Sequence, residues 1–122
     1  MQKVIFDSSF LMAVAETPTT WFEDTTEIVG GFRPILLECA KSELESLASE
    51  GGSRARTARV ALQLSSKFSS ERCGGAKVDD ELVSAAKTSG AVVATVDSEL
   101  LRSLKAAHVG AITLGGGRVR LV

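Results

Sequence analysis

Asp7, Glu43, Asp80 and Asp97 are carboxylates suited to holding a divalent cation, and Asp79 stands beside the third of them. Asp7 and Asp97 each follow a short apolar run, Val4-Ile5-Phe6 and Val92-Val93-Ala94-Thr95-Val96. Such runs predict buried parallel strands. In an open α/β sheet the ligand crevice lies at the carboxyl ends of the strands, so two acids from distant parts of the chain would meet at one edge. Crowded carboxylates repel one another unless a cation sits among them, and hard oxygen donors suit Mg²⁺ or Mn²⁺. Phosphodiester hydrolysis is the chemistry such a centre serves. It needs a deprotonated water and a stabilised leaving oxygen, and one or two metal ions provide both without a covalent intermediate.

The elements that must position these acids follow from periodicity and punctuation. Lys3–Asp7 predicts a first strand, and Ser8 or Ser9 can cap a helix to Ala15. Pro18 breaks the pattern, Thr19 or Thr20 can cap a helix over Trp21–Val29, and Gly30-Gly31 ends it. Pro34–Leu37 predicts a second strand, and Glu38–Ser49 a helix with Ala40, Leu44, Leu47 and Ala48 as its buried stripe. At about 100° per residue Glu43 lies on the flank of that stripe, while Glu45 points to solvent. Ser53 is placed to cap the next helix, which runs to about residue 67 and carries Ala55, Ala58, Leu62 and Ser65 on one face. Ser69–Lys77 reads as the most mobile loop. Asp79, Asp80 and Glu81 open another helix, Ala91–Val96 is a third strand, and Leu100, Leu101, Leu104 and Ala107 make an apolar helix face. Ala111–Leu114 is a fourth strand, Gly115-Gly116-Gly117 a turn, and Arg118–Val122 a short edge strand. This alternation predicts a three-layer α/β/α sandwich with a central parallel sheet of four to five strands, as one domain over residues 1–122.

Composition bounds the function further. The 122 residues are 44% hydrophobic with a formal net charge of −1, which fits a soluble globular domain with a real core. No apolar stretch approaches a membrane span, and the chain enters its first strand with no signal peptide, so a cytoplasmic location is expected. Cys39 and Cys73 lack metal-like spacing and are expected to be reduced thiols. Charge is unevenly placed. Residues 1–50 hold three basic and nine acidic side chains, a net of −6, whereas residues 51–78 hold six basic and one acidic, a net of +5. Arg56, Arg59, Gln63 and Lys67 share a helix face, and Arg54 precedes them. A basic segment beside an acidic metal cluster suits cleavage of a phosphodiester backbone, so Arg54, Arg56, Arg59 and Lys67 are the candidate contacts to that backbone. With six aromatics and no Tyr, base stacking cannot be the main mode of RNA binding.

Four segments in this order resemble the PIN-domain nucleases. They are Val4-Ile5-Phe6-Asp7-Ser8-Ser9-Phe10-Leu11-Met12, Glu38-Cys39-Ala40-Lys41-Ser42-Glu43-Leu44-Glu45-Ser46-Leu47, Asp79-Asp80-Glu81-Leu82-Val83 and Val93-Ala94-Thr95-Val96-Asp97-Ser98-Glu99-Leu100. The resemblance spans almost the whole chain. It implies metal-dependent cleavage of RNA that leaves a 5′-phosphate and a 3′-hydroxyl. By matching position Asp7, Glu43, Asp80 and Asp97 take the four acidic sites, with Ser9 as a supporting hydroxyl. Ser8 stands where the family often has Thr. Asp79 or Asp80 fills the third site; the family spacing favours Asp80, and helix phase does not decide.

Two settings fit this resemblance, namely ribosomal-RNA processing or RNA quality control, and the toxin of a toxin–antitoxin pair. The first implies a ribosome-assembly partner, the second an antitoxin, and either allows a homodimer through the helix at Trp21–Val29. A binding module that kept the fold but lost catalysis would not need all four acids. A phospho-acceptor receiver domain needs an acidic pair after the first strand and a Lys at a late one, and neither is present. His108 reads as a helix-end or surface residue.

Overall fold

The computed structural model describes all residues of the chain, Met1–Val122. In chain order the elements are β1 (Gln2–Phe6), α1 (Ser8–Glu16), α2 (Trp21–Val29), β2 (Phe32–Leu37), α3 (Glu38–Ala48), α4 (Gly52–Leu64), β3 (Ser69–Glu71), α5 (Val78–Ser89), β4 (Val92–Ala94), α6 (Ser98–Ala106), β5 (Ala111–Gly115) and β6 (Arg118–Leu121). One sheet of six strands runs β3-β2-β1-β4-β5-β6. Its first five strands are parallel, with Ile5 opposite Ile35 on one side and Val93 on the other. β6 returns antiparallel to β5, with Leu114 opposite Val119. Successive crossovers move outward from β1 to β2 and β3, then return past β1 to β4 and β5. Right-handed crossovers in opposite directions put α5 and α6 on the face opposite α1, α3 and α4. The point where the direction reverses lies between β1 and β4, and there an open sheet forms its ligand crevice.

Val4, Ile5 and Phe6 are fully buried, as a strand covered on both faces must be. The Phe6 ring packs edge-on to Phe10 and Trp21, each with its centroid 5.5 Å away, and lies 5.2 Å from Phe68. This cluster accounts for Trp21 as core. α4 buries Ala55, Ala58 and Ala61, small residues that let it lie close on α1 and α3. Gly116 and Gly117, at φ 61° and 78°, supply the left-handed pair that a tight β5–β6 hairpin requires.

Three expectations need correction. The sheet has six strands because Ser69–Glu71, expected to be loop, pairs with Ile35–Leu37 as an edge strand. Ser-Ser-Glu carries no apolar alternation, so nothing local announces it; the ladder to β2 and the Lys3–Glu71 ion pair at 3.3 Å hold it. Cys39 and Cys73 are not free thiols but form a disulfide, which closes a separation of 34 residues. Neither spacing nor composition brings them together; the fold does, by setting the start of α3 beside the segment after β3. The caps also differ. Asp7, and not Ser8 or Ser9, is the N-cap of α1, and Gly51, and not Ser53, is that of α4.

Candidate active site

The two acids at the strand ends flank the reversal point. Asp7 follows β1 and Asp97 follows β4, and the backbone joins the two segments where Asp7 N donates to Ala94 O at 2.9 Å. Asp7 is buried, with 5% of its surface exposed. Its Oδ2 accepts from Ser9 Oγ at 2.5 Å and from Thr95 Oγ1 at 2.7 Å. Thr95, fully buried, also accepts from Asp97 N at 3.1 Å and lies 3.1 Å from Ser9 Oγ. A hydroxyl pair thus fixes one oxygen of Asp7 and ties the Asp7 segment to the Asp97 segment. Asp7 Oδ1 takes none of these bonds. It is open to solvent, since the one buried side-chain polar atom lacking a partner is Thr19 Oγ1.

Asp97 divides its oxygens in the same way. Oδ1 accepts from Glu99 N at 2.9 Å and Leu100 N at 3.1 Å, capping α6. Oδ2 has no such duty. A capping role and a ligand role therefore do not compete in this residue.

α3 starts directly at the end of β2, which carries Glu43 to the same edge. Its Oε1 accepts from Ser8 Oγ at 3.1 Å. Partial burial raises the Glu43 pKa above the ordinary carboxylate value; the Ser8 hydrogen bond opposes the rise, and the charges of Asp7 and Asp79 add to it. Asp79, in the first turn of α5, is raised by partial burial and then by the charges of Asp7, Asp97, Asp80 and Glu99. Glu43 and Asp79 thus each feel the charge of Asp7, Glu43 also feels Asp79, and Asp79 also feels Asp97. Asp80 enters only as a neighbour of Asp79. Of the adjacent pair, Asp79 is the one whose charge is felt at Glu43.

No three side chains among His, Cys, Asp and Glu converge into a finished metal cage. The donor set nonetheless fits a hard cation that keeps much of its water. Mg²⁺ dehydrates reluctantly and is held by one or two carboxylates with waters filling the remaining positions. Asp7 Oδ1 and Asp97 Oδ2 are free for that, with Glu43 and Asp79 near enough to feel Asp7's charge.

The basic side chains are less uniform than a stripe suggests. Arg54 lines a groove of about 560 Å³ together with Ser8, Ser42, Glu43 and Glu50, so it shares that groove with Glu43. Arg59 Nη1 donates to Ala48 O at 2.9 Å and closes the C-terminal end of α3. Arg56 and Lys67 are exposed on and just after α4. Two hydroxyls with clear roles here were not singled out from the sequence. Thr95 lies inside the third strand with no role suggested by the sequence, and Ser8 is suggested only as a helix cap and as the counterpart of a family Thr. Their signal is position: each is within two residues of a strand-end acid.

A family model described as "PIN like domain" matches residues 4–117. None of the curated proteins matches the sequence. Among solved structures, the chain superposes on the PIN domain endonuclease Utp24 with a TM-score of 0.78 at 23% identity, over 98% of this chain and 90% of that one. A domain of a functionally unknown protein from Methanocaldococcus jannaschii gives 0.71 at 20% identity, over 100% and 99%. A T5 5′-exonuclease variant gives 0.56 at 14% identity, over 97% of this chain and 52% of that one. These likenesses concern the fold. With the family match covering residues 4–117 of 122, the chain belongs to the PIN-like domain family.

Proposed function

We propose that the chain is a metal-dependent endoribonuclease whose site comprises Asp7, Glu43, Asp79 and Asp97, with Asp80 flanking it. The observation that carries the reading is the pair Asp7 and Asp97 at the reversal point of the sheet, tied to each other through Ser9 and Thr95. Folding has spent stability to hold these acids together, and a cation recovers it. The two neighbours named above as nucleases share the fold, which agrees with this reading.

A Mg²⁺ or Mn²⁺ ion held there would supply a more acidic water and neutralise the charge of phosphodiester cleavage. The protein's own part is orientation. Ser9 and Thr95 fix Asp7 Oδ2 and turn Oδ1 to the crevice. The Glu99 and Leu100 amides do the same for Asp97. Ser8 holds Glu43 on the opposite wall, where its raised affinity for a proton suits it to accept one from an attacking water. Arg54 lies close enough to meet a phosphate near the acids, and Arg56 and Lys67 extend the cationic surface outward. RNA is the substrate this surface supports, and RNA processing or quality control is the setting we favour. In the toxin reading, a partner would cover the same crevice. A cytoplasmic location loses the support it drew from free thiols, now that Cys39 and Cys73 are bonded. No helix is long and apolar enough to cross a membrane.

The test is cleavage of a structured RNA by the purified chain in Mn²⁺, Mg²⁺ or EDTA, beside Asp7→Asn and Asp97→Asn. Metal-dependent internal cuts, absent in both variants and carrying 5′-phosphates, support the proposal. Cutting that persists in EDTA, or in Asp7→Asn, rejects it.

A further inference from the structure

Glu43 and Asp79 sit on helices that do not chiefly pack on each other. α3 lies against α1, α4 and β2, while α5 lies against α6, β1 and β4. What joins them is the short segment from Cys73 to Lys77. At one end Cys73 is bonded to Cys39, the second residue of α3, and Cys39 N donates to Cys73 Sγ at 3.3 Å. At the other end Glu81, in the first turn of α5, accepts through Oε1 from Gly74 N at 2.8 Å and Ala76 N at 2.9 Å. Cys39 and Glu43 are four residues apart on α3 and therefore share a face. Both line the same groove with Ser8. Asp79 lies two residues before Glu81. A continuous chain of bonds thus runs from the face of α3 that bears Glu43 to the turn of α5 that bears Asp79.

We propose that Cys39, Cys73 and Glu81 are positioning residues that set the spacing between Glu43 and Asp79, and that the thiol–disulfide state of the cysteine pair thereby tunes cation binding. The inference rests on the metal-site reading above. Without the clamp, residues 73–77 are held only at their ends, by the Glu71–Leu37 pairing before them and by Val78 packed on the core after them, and the spacing between the first turns of α3 and α5 loses its direct tie. Both cysteines are half-buried, and Cys39 lines the groove, which gives a small thiol a path of approach. The exchange balances with two equivalents of that thiol. The first, as thiolate, attacks one protein sulfur and releases the other, which takes up a proton. The second resolves the mixed disulfide, leaving two protein thiols and one small-molecule disulfide. The small disulfide is the oxidant for the reverse reaction.

The experiment measures Mn²⁺ affinity by calorimetry, and amide exchange at Gly74 and Ala76, on the full chain before and after reduction with glutathione. It includes Cys39→Ser/Cys73→Ser and, with the disulfide kept, Glu81→Ala. Reduction and each variant are expected to weaken Mn²⁺ binding about tenfold, the size of effect seen when groups that orient ligands are lost. Exchange at residues 74 and 76 should speed up, and the double variant should ignore glutathione. A protein that is folded by circular dichroism in both states and binds Mn²⁺ equally well in both would overturn the proposal, as would free thiols in the air-oxidised protein. If no form binds Mn²⁺, the cation reading fails on its own. The clamp is then judged by exchange, and unchanged rates on reduction reject it too.

Discussion

Asp97 offers the sharpest separation of structure from chemistry, because its two oxygens do different work. Oδ1 caps α6 through Glu99 N and Leu100 N; Oδ2 takes no part in the cap. Asp97→Asn keeps an oxygen that can cap and removes the charge, while Asp97→Ala removes both. Loss of an N-cap costs about 1 kcal/mol, and Asn caps as well as Asp. In EDTA, Asp97→Ala should therefore unfold in urea with a stability about 1 kcal/mol below the parent. In a chain of this length that is a Tm lower by roughly 3–5 °C. Asp97→Asn should match or exceed the parent, because Asp97 is one of the charges that push Asp79 up. RNA cleavage should fall on the order of a hundredfold or more in both, since the proposal makes the lost oxygen a ligand. Urea melts in EDTA and cleavage rates in Mn²⁺ read the two effects separately. If Asp97→Asn cuts at the parent rate, Asp97 is a cap and nothing more. If Asp97→Asn is as unstable as Asp97→Ala, the division of labour between its oxygens is wrong.

Three other outcomes are expected. Opening the Cys39–Cys73 bond, by reductant or by Cys73→Ser, should cost up to about 4 kcal/mol, the chain-entropy value for a loop of this length; a urea midpoint unmoved by reductant would contradict it. Stability without metal should depend on pH at two places. Glu43 and Asp79 bind protons more tightly in the folded state, so stability declines as pH rises through their raised values, and Mn²⁺ should remove that decline. Asp24 is held at about 2 by hydrogen bonds from the Arg118 guanidinium and the Val119 amide, so its contribution is complete above the ordinary value of 3.8 and disappears as pH falls through about 2. Melts from pH 2 to 8, with and without Mn²⁺, check both signs. Replacing Arg54 and Arg56 with Ala should weaken RNA binding to the Asp7→Asn protein and flatten its log–log salt dependence by roughly two units; an unchanged slope puts the RNA path elsewhere.

What could be read from the chain, and what could not, follows from how far each signal reaches. β1, β2, β4 and β5 announce themselves as short apolar runs, and the acids at Asp7 and Asp97 inherit their place from the ends of two of them. The layer architecture follows from alternation alone. β3 could not be read, because Ser69–Glu71 is a strand only by virtue of Ile35–Leu37 beside it. The disulfide is equally non-local: two cysteines 34 residues apart carry no spacing signal until the fold sets α3 beside the segment after β3. Asp79 and Asp80 are adjacent in the first turn of one helix, so neither spacing nor helix phase separates them. Asp24 was overlooked for a related reason. It lies in an amphipathic helix, and its partner Arg118 is 94 residues away.

The most direct test of the carboxylate centre is a Mn²⁺ titration of the purified chain near pH 7, read by calorimetry, beside Asp7→Asn. The account expects saturable binding by the parent that Asp7→Asn loses while remaining folded. Equal binding by both proteins, or none by a folded parent, would contradict a metal site built on Asp7.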